Sequence, residues 1–169
     1  MNSRLAEWNR ADDASAIESI VACCGSRRWA AAMVERRPFQ SVAELSVAAD
    51  DLWREMAESD LLEAFARHPR IGERNYKRSS AQSAEWSRQE QSSTESASGS
   101  VRSSIAEGNM LYEQKFGFTY IVCATGKSAE EMFAILKRRL LNDRETELRE
   151  AAEQQRQITQ IRLGKWLAS

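Results

Sequence analysis

Only two prolines, Pro38 and Pro69, and seven glycines punctuate the 169 residues. So few breakers make long helices the economical way to fold the chain. The apolar spacing agrees: Ile17, Ile20, Val21 and Cys24 fall at i, i+3, i+4 and i+7, and Gly25 ends that helix. Trp29, Ala30, Met33 and Val34 form a second apolar face that stops before Pro38. Ser41-Val42-Ala43-Glu44 is a capping-box pattern opening a third helix, with Val42, Leu45, Ala49, Leu52, Trp53 and Met56 inward. A short helix carrying Leu61, Leu62 and Phe65 runs into Arg67-His68-Pro69. Ser128-Ala129-Glu130-Glu131 is another capping box, ahead of Met132, Phe133, Ile135, Leu136 and Leu140, and a last helix is expected from about Arg144 to Trp166. Strand-like alternation is confined to residues 118–124. The fold class is therefore all-α, a single compact helical domain over residues 1–169.

Residues 79–104 contain eleven serines, no proline and one glycine. Composition suggests a solvated serine-rich loop or helix. Angular position suggests otherwise: Glu90, Thr94, Ala97, Val101, Ile105, Gly108 and Tyr112 fall within roughly 80° of one another on a helix. The expectation is one long helix whose inward face changes from apolar to polar, with Ser83 and Ser87 extending it, so that it runs past a pocket.

With 24 Lys and Arg against 25 Asp and Glu, the formal net charge of −1 excludes a strongly basic nucleic-acid binder. No membrane partner is expected, because no apolar stretch reaches the 18 or so residues of a spanning helix. A single histidine and three cysteines without C-x-x-C spacing provide no zinc pattern, so no metal is expected. Cys23 and Cys24 are neighbours and Cys123 stands alone, which reads as three reduced thiols. The first residues lack an apolar signal region and the last three are not Ser-Lys-Leu, so the expected location is cytoplasmic.

Four features carry chemistry. His68 lies in His68-Pro69-Arg70-Ile71-Gly72, where proline and glycine fix a turn, and imidazole suits general acid or base work. The alternative is a helix-terminal histidine with no role. Residues 67–78 hold five basic side chains (Arg67, Arg70, Arg74, Lys77, Arg78) against Glu73, either drawing an anionic substrate or forming a solvated loop. Ser87, Glu90 and Gln91 share a helix face and offer a hydroxyl, a carboxylate and an amide to a heterocycle; an exposed polar face is the other reading. Arg162 interrupts an apolar stripe between Ile158 and Trp166. It either snorkels to the surface or is buried against an anion, with Glu90, a substrate carboxylate or both as candidates.

In order along the chain stand Arg37-Pro38-Phe39, His68-Pro69-Arg70-Ile71-Gly72, Ser87-x-x-Glu90-Gln91, Asn109-x-x-Tyr112-x-x-Lys115-Phe116-Gly117-Phe118 and Ile161-Arg162-Leu163. This set, spanning about residues 10–167, resembles the 2-oxo-4-hydroxy-4-carboxy-5-ureidoimidazoline (OHCU) decarboxylase family. The resemblance implies an all-helical homodimer acting without a cofactor on a small ureidoimidazoline, in the last step from urate to (S)-allantoin. It implies His68 as the catalytic acid and Glu90 as its partner. It further implies Pro69, Ser87, Gln91 and Arg162 as substrate-holding residues, with the backbone of Tyr120, Ile121, Val122, Cys123 and Ala124 lining the site. Two departures stand out. Arg70-Ile71-Gly72 replaces a common Asp-Leu-Ala-Gly, and Ser92-Ser93-Thr94-Glu95 replaces a Gly/Ala-rich stretch. Competing readings are a hydrolase or lyase on a neighbouring ureide, separable by product identity, and a helical module binding an anionic partner through residues 67–78, separable by salt dependence.

Overall fold

The computed structural model describes residues 2–73 and 80–169. Among them it forms ten helices and no strand: α1 (Ser3–Arg10), α2 (Asp13–Cys24), α3 (Arg27–Glu35), α4 (Val42–Arg54), α5 (Glu58–Ala66), α6 (Ala81–Glu90), α7 (Ser92–Glu95), α8 (Gly99–Phe116), α9 (Ala129–Arg139) and α10 (Arg144–Leu167). The fold is all-α, as the scarcity of breakers predicts. The chain divides into two compact units, Met1–Ala64 with Arg156–Ser169, and Phe65–Gln155; the divisions fall inside α5 and α10.

In the first unit, α1 is an addition to the expected helices. Asn2 caps it by accepting the Leu5 N–H at 3.1 Å, and Leu5 and Trp8 form its buried face. Helix α2 ends at Gly25 in the left-handed conformation (φ 95°), where a side chain would be strained. Its buried face is Ala16, Ile20, Cys23 and Cys24, while Ile17 and Val21 are half-buried. The buried face is thus turned by about one residue from the expected one, and α2 lies against α3. Helix α3 buries all four expected residues. At α4, Ser41 caps Glu44, but the Glu44 carboxylate reaches the Gln40 N–H at 2.7 Å, one residue short of the expected box. Val42, at the start of that helix, is 41% exposed and not inward.

Tryptophans tie this unit together because each indole N–H must find an acceptor when buried. Trp8 donates to the Ala16 carbonyl at 2.9 Å, Trp29 to that of Ala49 at 3.1 Å, and Trp166 to the Ser19 hydroxyl at 3.0 Å. The Arg37-Pro38-Phe39 motif is structural. Arg37 donates to the Trp8 and Ala11 carbonyls at 2.5 and 2.9 Å, which lie at the open C-terminal end of α1, and pairs with Asp13 at 2.6 Å. Phe39 stacks on Trp8, with ring centroids 6.1 Å apart.

In the second unit, the expected long helix through residues 79–112 is broken into α6, α7 and α8. Serine and threonine side chains compete for backbone groups there. Thr94 Oγ1 donates to the Gln91 carbonyl at 2.8 Å, Ser93 to that of Lys127 at 2.7 Å, and Ser98 caps α8 by accepting the Val101 N–H at 3.3 Å. The inward positions nevertheless survive in part: Ser83, Ser87, Thr94, Ile105, Gly108 and Tyr112 are buried, whereas Glu90, Ala97 and Val101 are half-buried. Helix α9 opens with the complete Ser128/Glu131 capping box. It packs on α8 across Gly108, where an added Cβ would meet Leu136 Cδ2 at 2.5 Å.

Two glycine substitutions separate packing from propensity. Gly164 sits in α10 with open space around its Cβ direction. Gly164→Ala is expected to raise unfolding stability by up to about 1 kcal/mol. Gly108→Ala is expected to lower it by about 1–2 kcal/mol, overpacking against buried Leu136 outweighing the helix-propensity gain. Urea denaturation of both variants measures the contrast.

Candidate active site

The candidate site residues of the second unit, with the side chains that hold them, come from four pieces of chain. The first is the turn after α5. There the His68 N–H donates to the Phe65 carbonyl at 3.1 Å, and Pro69 is buried. Three consecutive residues beyond Pro69 are then tethered. Arg70 forms a two-pronged pair with Glu113 on α8, Nε to Oε1 at 2.7 Å and Nη2 to Oε2 at 2.8 Å. The Ile71 carbonyl accepts from Asn109 Nδ2, also on α8, at 3.0 Å. The Gly72 N–H donates to Gln91 Oε1 at 3.1 Å, and its φ of 81° is a value that glycine adopts without strain. The imidazole itself is held by Gln155 of α10, with Nε2 2.7 Å from Oε1. His68 therefore sits on a backbone fixed at both flanks.

The second piece is the end of α6. Ser87 and Gln91 are buried at 1% and 8% exposure, and Glu90 between them is half-buried. The exposed-face alternative thus fails for two of the three. The carbonyl end of Gln91 is committed to Gly72, so this residue builds the turn that carries His68.

The third piece is the extended segment Tyr120, Ile121, Val122, Cys123 and Ala124, which contains no strand and is buried throughout at 2–5% exposure. Three of its backbone groups are met by side chains rather than by a sheet, and the Ala124 carbonyl accepts the Lys127 N–H at 3.0 Å. Arg139 Nη1 donates to the Ile121 carbonyl at 2.6 Å, Gln154 Oε1 accepts the Cys123 N–H at 2.9 Å, and Lys127 Nζ donates to the Cys123 carbonyl at 2.7 Å. Burial pushes the Cys123 thiol above its usual pKa; the charge of Lys127 pulls it down and that of Glu90 adds to the rise.

The fourth piece lies beneath that segment. Arg139 and Glu147, both with fully buried side chains, meet at 2.5 Å. Glu147 also accepts from the Tyr112 hydroxyl and from Asn142 Nδ2, the latter at 2.8 Å. Burial by itself opposes the Arg139 charge, but the Glu147 hydrogen bond and the surrounding electrostatics outweigh it and the guanidinium is held more firmly protonated than usual. Burial likewise pushes the Tyr112 and Tyr120 phenols up, keeping both neutral.

Arg162 belongs to the first unit, where it is 2% exposed and donates to the Ala22 carbonyl at 3.3 Å, so it does not snorkel. Burial raises Cys23 and Cys24, the latter to about 12, while the charge of Arg162 pulls both down. All three cysteines are free and buried, as their spacing predicts. Of the basic run, Arg67 is exposed and Arg70 is paired; Arg74, Lys77 and Arg78 lie outside the described residues. Among the described residues no cluster of three or more metal-ligating side chains occurs, and no helix is long and apolar enough to cross a membrane.

Gln155, Arg139 and Glu147 are additions to the expected set. Gln155 had a signal: it stands three residues before Ile158 and seven before Arg162, on the buried stripe of α10. Arg139 and Glu147 had none, because charged residues near helix ends read as solvated.

This helical fold, with its histidine turn tethered to α8 and to the end of α6, has a solved counterpart. A crystal structure titled OHCU decarboxylase in the presence of (S)-allantoin superposes with a TM-score of 0.77, at 33% identity over 94% of this chain and all of that one. The OHCU decarboxylase family profile matches residues 9–164, and this chain belongs to that family. Among curated relatives, the uric acid degradation bifunctional protein TTL of Arabidopsis thaliana is 38% identical over 144 residues, which is 85% of this chain and 44% of that protein. The 2-oxo-4-hydroxy-4-carboxy-5-ureidoimidazoline decarboxylase of Haloferax volcanii is 27% identical over 98% of this chain and 96% of its own length. The chain thus spans less than half of the plant relative.

The buried pair beneath residues 120–124 gives a stability test. Arg139→Met or Glu147→Gln alone strands a buried partner and is expected to cost about 3–5 kcal/mol. The double variant Arg139→Met/Glu147→Leu is expected to recover part of that loss. Urea unfolding of the three variants reads the difference.

Proposed function

We propose that this protein decarboxylates OHCU to (S)-allantoin without a cofactor, in the degradation of urate. The observation that best supports this reading is the His68 turn, tethered at residues 70, 71 and 72 in the same compact unit as Ser87, Glu90, Gln91 and the segment 120–124. Family membership supplies the substrate class.

The substrate carries its carboxylate on a carbon next to a C=N bond. When the bond to CO₂ breaks, its electron pair flows into that C=N, so the substrate is its own electron sink and needs no external one. The ureido-bearing carbon then takes a proton, and the neighbouring hydroxyl loses one as its carbon becomes a carbonyl. The protein's task is to hold the ring and deliver the proton to one face. In this reading His68 is the acid that protonates that face. Glu90 orients the ring or relays the hydroxyl proton. The resemblance gives Arg162 the role of stabilising negative charge, and in the second unit Pro69, Ser87, Gln91 and the backbone of residues 120–124 shape the surface on which the ring lies. The proposed assembly is a homodimer of one-domain subunits, on the strength of the resemblance. A cytoplasmic setting accords with three free thiols.

Circular dichroism of freshly generated OHCU, with wild type and His68→Ala, tests the reading. Wild type is expected to produce the (S)-allantoin signal rapidly, and His68→Ala to be slower by about 10²–10⁴-fold with the fold retained. Racemic product at the uncatalysed rate with wild type would overturn the activity. Full rate and full selectivity in His68→Ala would overturn the role of His68.

A further inference from the structure

Gln155 is fully buried on α10, yet its side chain is polar, and its Oε1 lies 2.7 Å from Nε2 of His68. A carbonyl oxygen only accepts hydrogen bonds, so the proton between these atoms belongs to the imidazole. We propose that Gln155 is a positioning residue that orients the His68 ring and selects the tautomer protonated at Nε2. Nδ1 is then the basic nitrogen of the neutral ring, the place where it takes up and gives back a proton. The surroundings are suited to this. The backbone of the turn is already held by Arg70, Ile71 and Gly72, and the hydrogen bond to the buried amide restricts rotation of the ring about its own side-chain bonds. A histidine's tautomer is set in general by the hydrogen bond its other nitrogen makes. This inference deepens the decarboxylase reading and depends on it for its catalytic consequence, but not for its structural content.

His68 is the sole histidine of the chain, so in untagged ¹⁵N-labelled protein the imidazole signals need no assignment. At about pH 8.5, where a histidine of ordinary pKa is neutral, long-range ¹H–¹⁵N spectra report which ring nitrogen carries the proton. Wild type is expected to show a protonated Nε2 and a bare Nδ1. Gln155→Met, close in size but with only a weakly accepting sulfur in place of the amide oxygen, is expected to lose that single pattern. Its kcat should fall by about 10–100-fold, with a smaller change in KM. Gln155→Glu, which keeps an accepting oxygen, is expected to retain protonated Nε2 and provides the test should the methionine variant not fold. A neutral ring bare at Nε2 in wild type overturns the proposal. So does a folded Gln155→Met with an unchanged pattern and unchanged kcat, or a folded Gln155→Glu that loses protonated Nε2. If Nε2 is protonated in wild type and the pattern is lost in Gln155→Met while wild type forms no allantoin, the positioning role stands and the decarboxylase reading fails.

Discussion

The guanidinium of Arg139 and the carboxylate of Glu147 meet where water does not reach, and much of the second unit is arranged to make that tolerable. Removing two charges from water costs several kcal/mol each unless every remaining donor and acceptor is matched. Here the matching is extensive. Tyr112 and Asn142 donate to the carboxylate, Arg139 lies 4.9 Å from the Tyr120 ring centroid, and its Nη1 donates to the Ile121 carbonyl. Through the Ile121 carbonyl the pair supplies one of the partners that a neighbouring strand would supply in a sheet, and Gln154 and Lys127 supply others at Cys123. Together these side chains let a backbone outside any helix stay buried in an all-α protein. A hydrophobic replacement would fill the volume, but it would leave the Ile121 carbonyl without this donor.

A second arrangement follows the same logic at the His68 turn. Turns usually sit at the surface because their backbone groups want water. This one buries Pro69 and Ile71, so side chains from α8 and the end of α6 supply the missing partners. The Arg70–Glu113 pair is partly exposed and contributes little to stability by itself. Its two-pronged geometry instead fixes orientation. Gln91 shows how a motif residue can act at one remove, since its carbonyl oxygen holds Gly72. In the first unit Arg37 is similar: it satisfies carbonyls at the end of α1 and keeps Phe39 against Trp8.

Several helices were legible because their signals are local. Gly25, the Ser128/Glu131 box and the apolar face of α3 each act within a few residues, and each is found where the spacing puts it. Residues 91–98 were not legible by the same method. Counting at a constant angle assumes an unbroken helix, and serine and threonine hydroxyls competing for the backbone remove that assumption. Helix α1 went unseen because eight residues with two apolar anchors give too short a period to read. The His68, Ser87, Glu90 and Gln91 set was visible as an ordered pattern, and all four residues fall in the second unit.

The sequence by itself determined the all-α class, several helix ends and the family, because breakers, caps and motif order are properties of neighbouring residues. Tertiary structure alone decided which partner each buried polar group receives. Arg139 finds Glu147 and Ile121, Asn109 finds Ile71, and His68 finds Gln155 across 87 positions of chain. No local period encodes such pairings. They arise when helices pack and a polar group that has lost water must take the donor or acceptor that packing brings within reach.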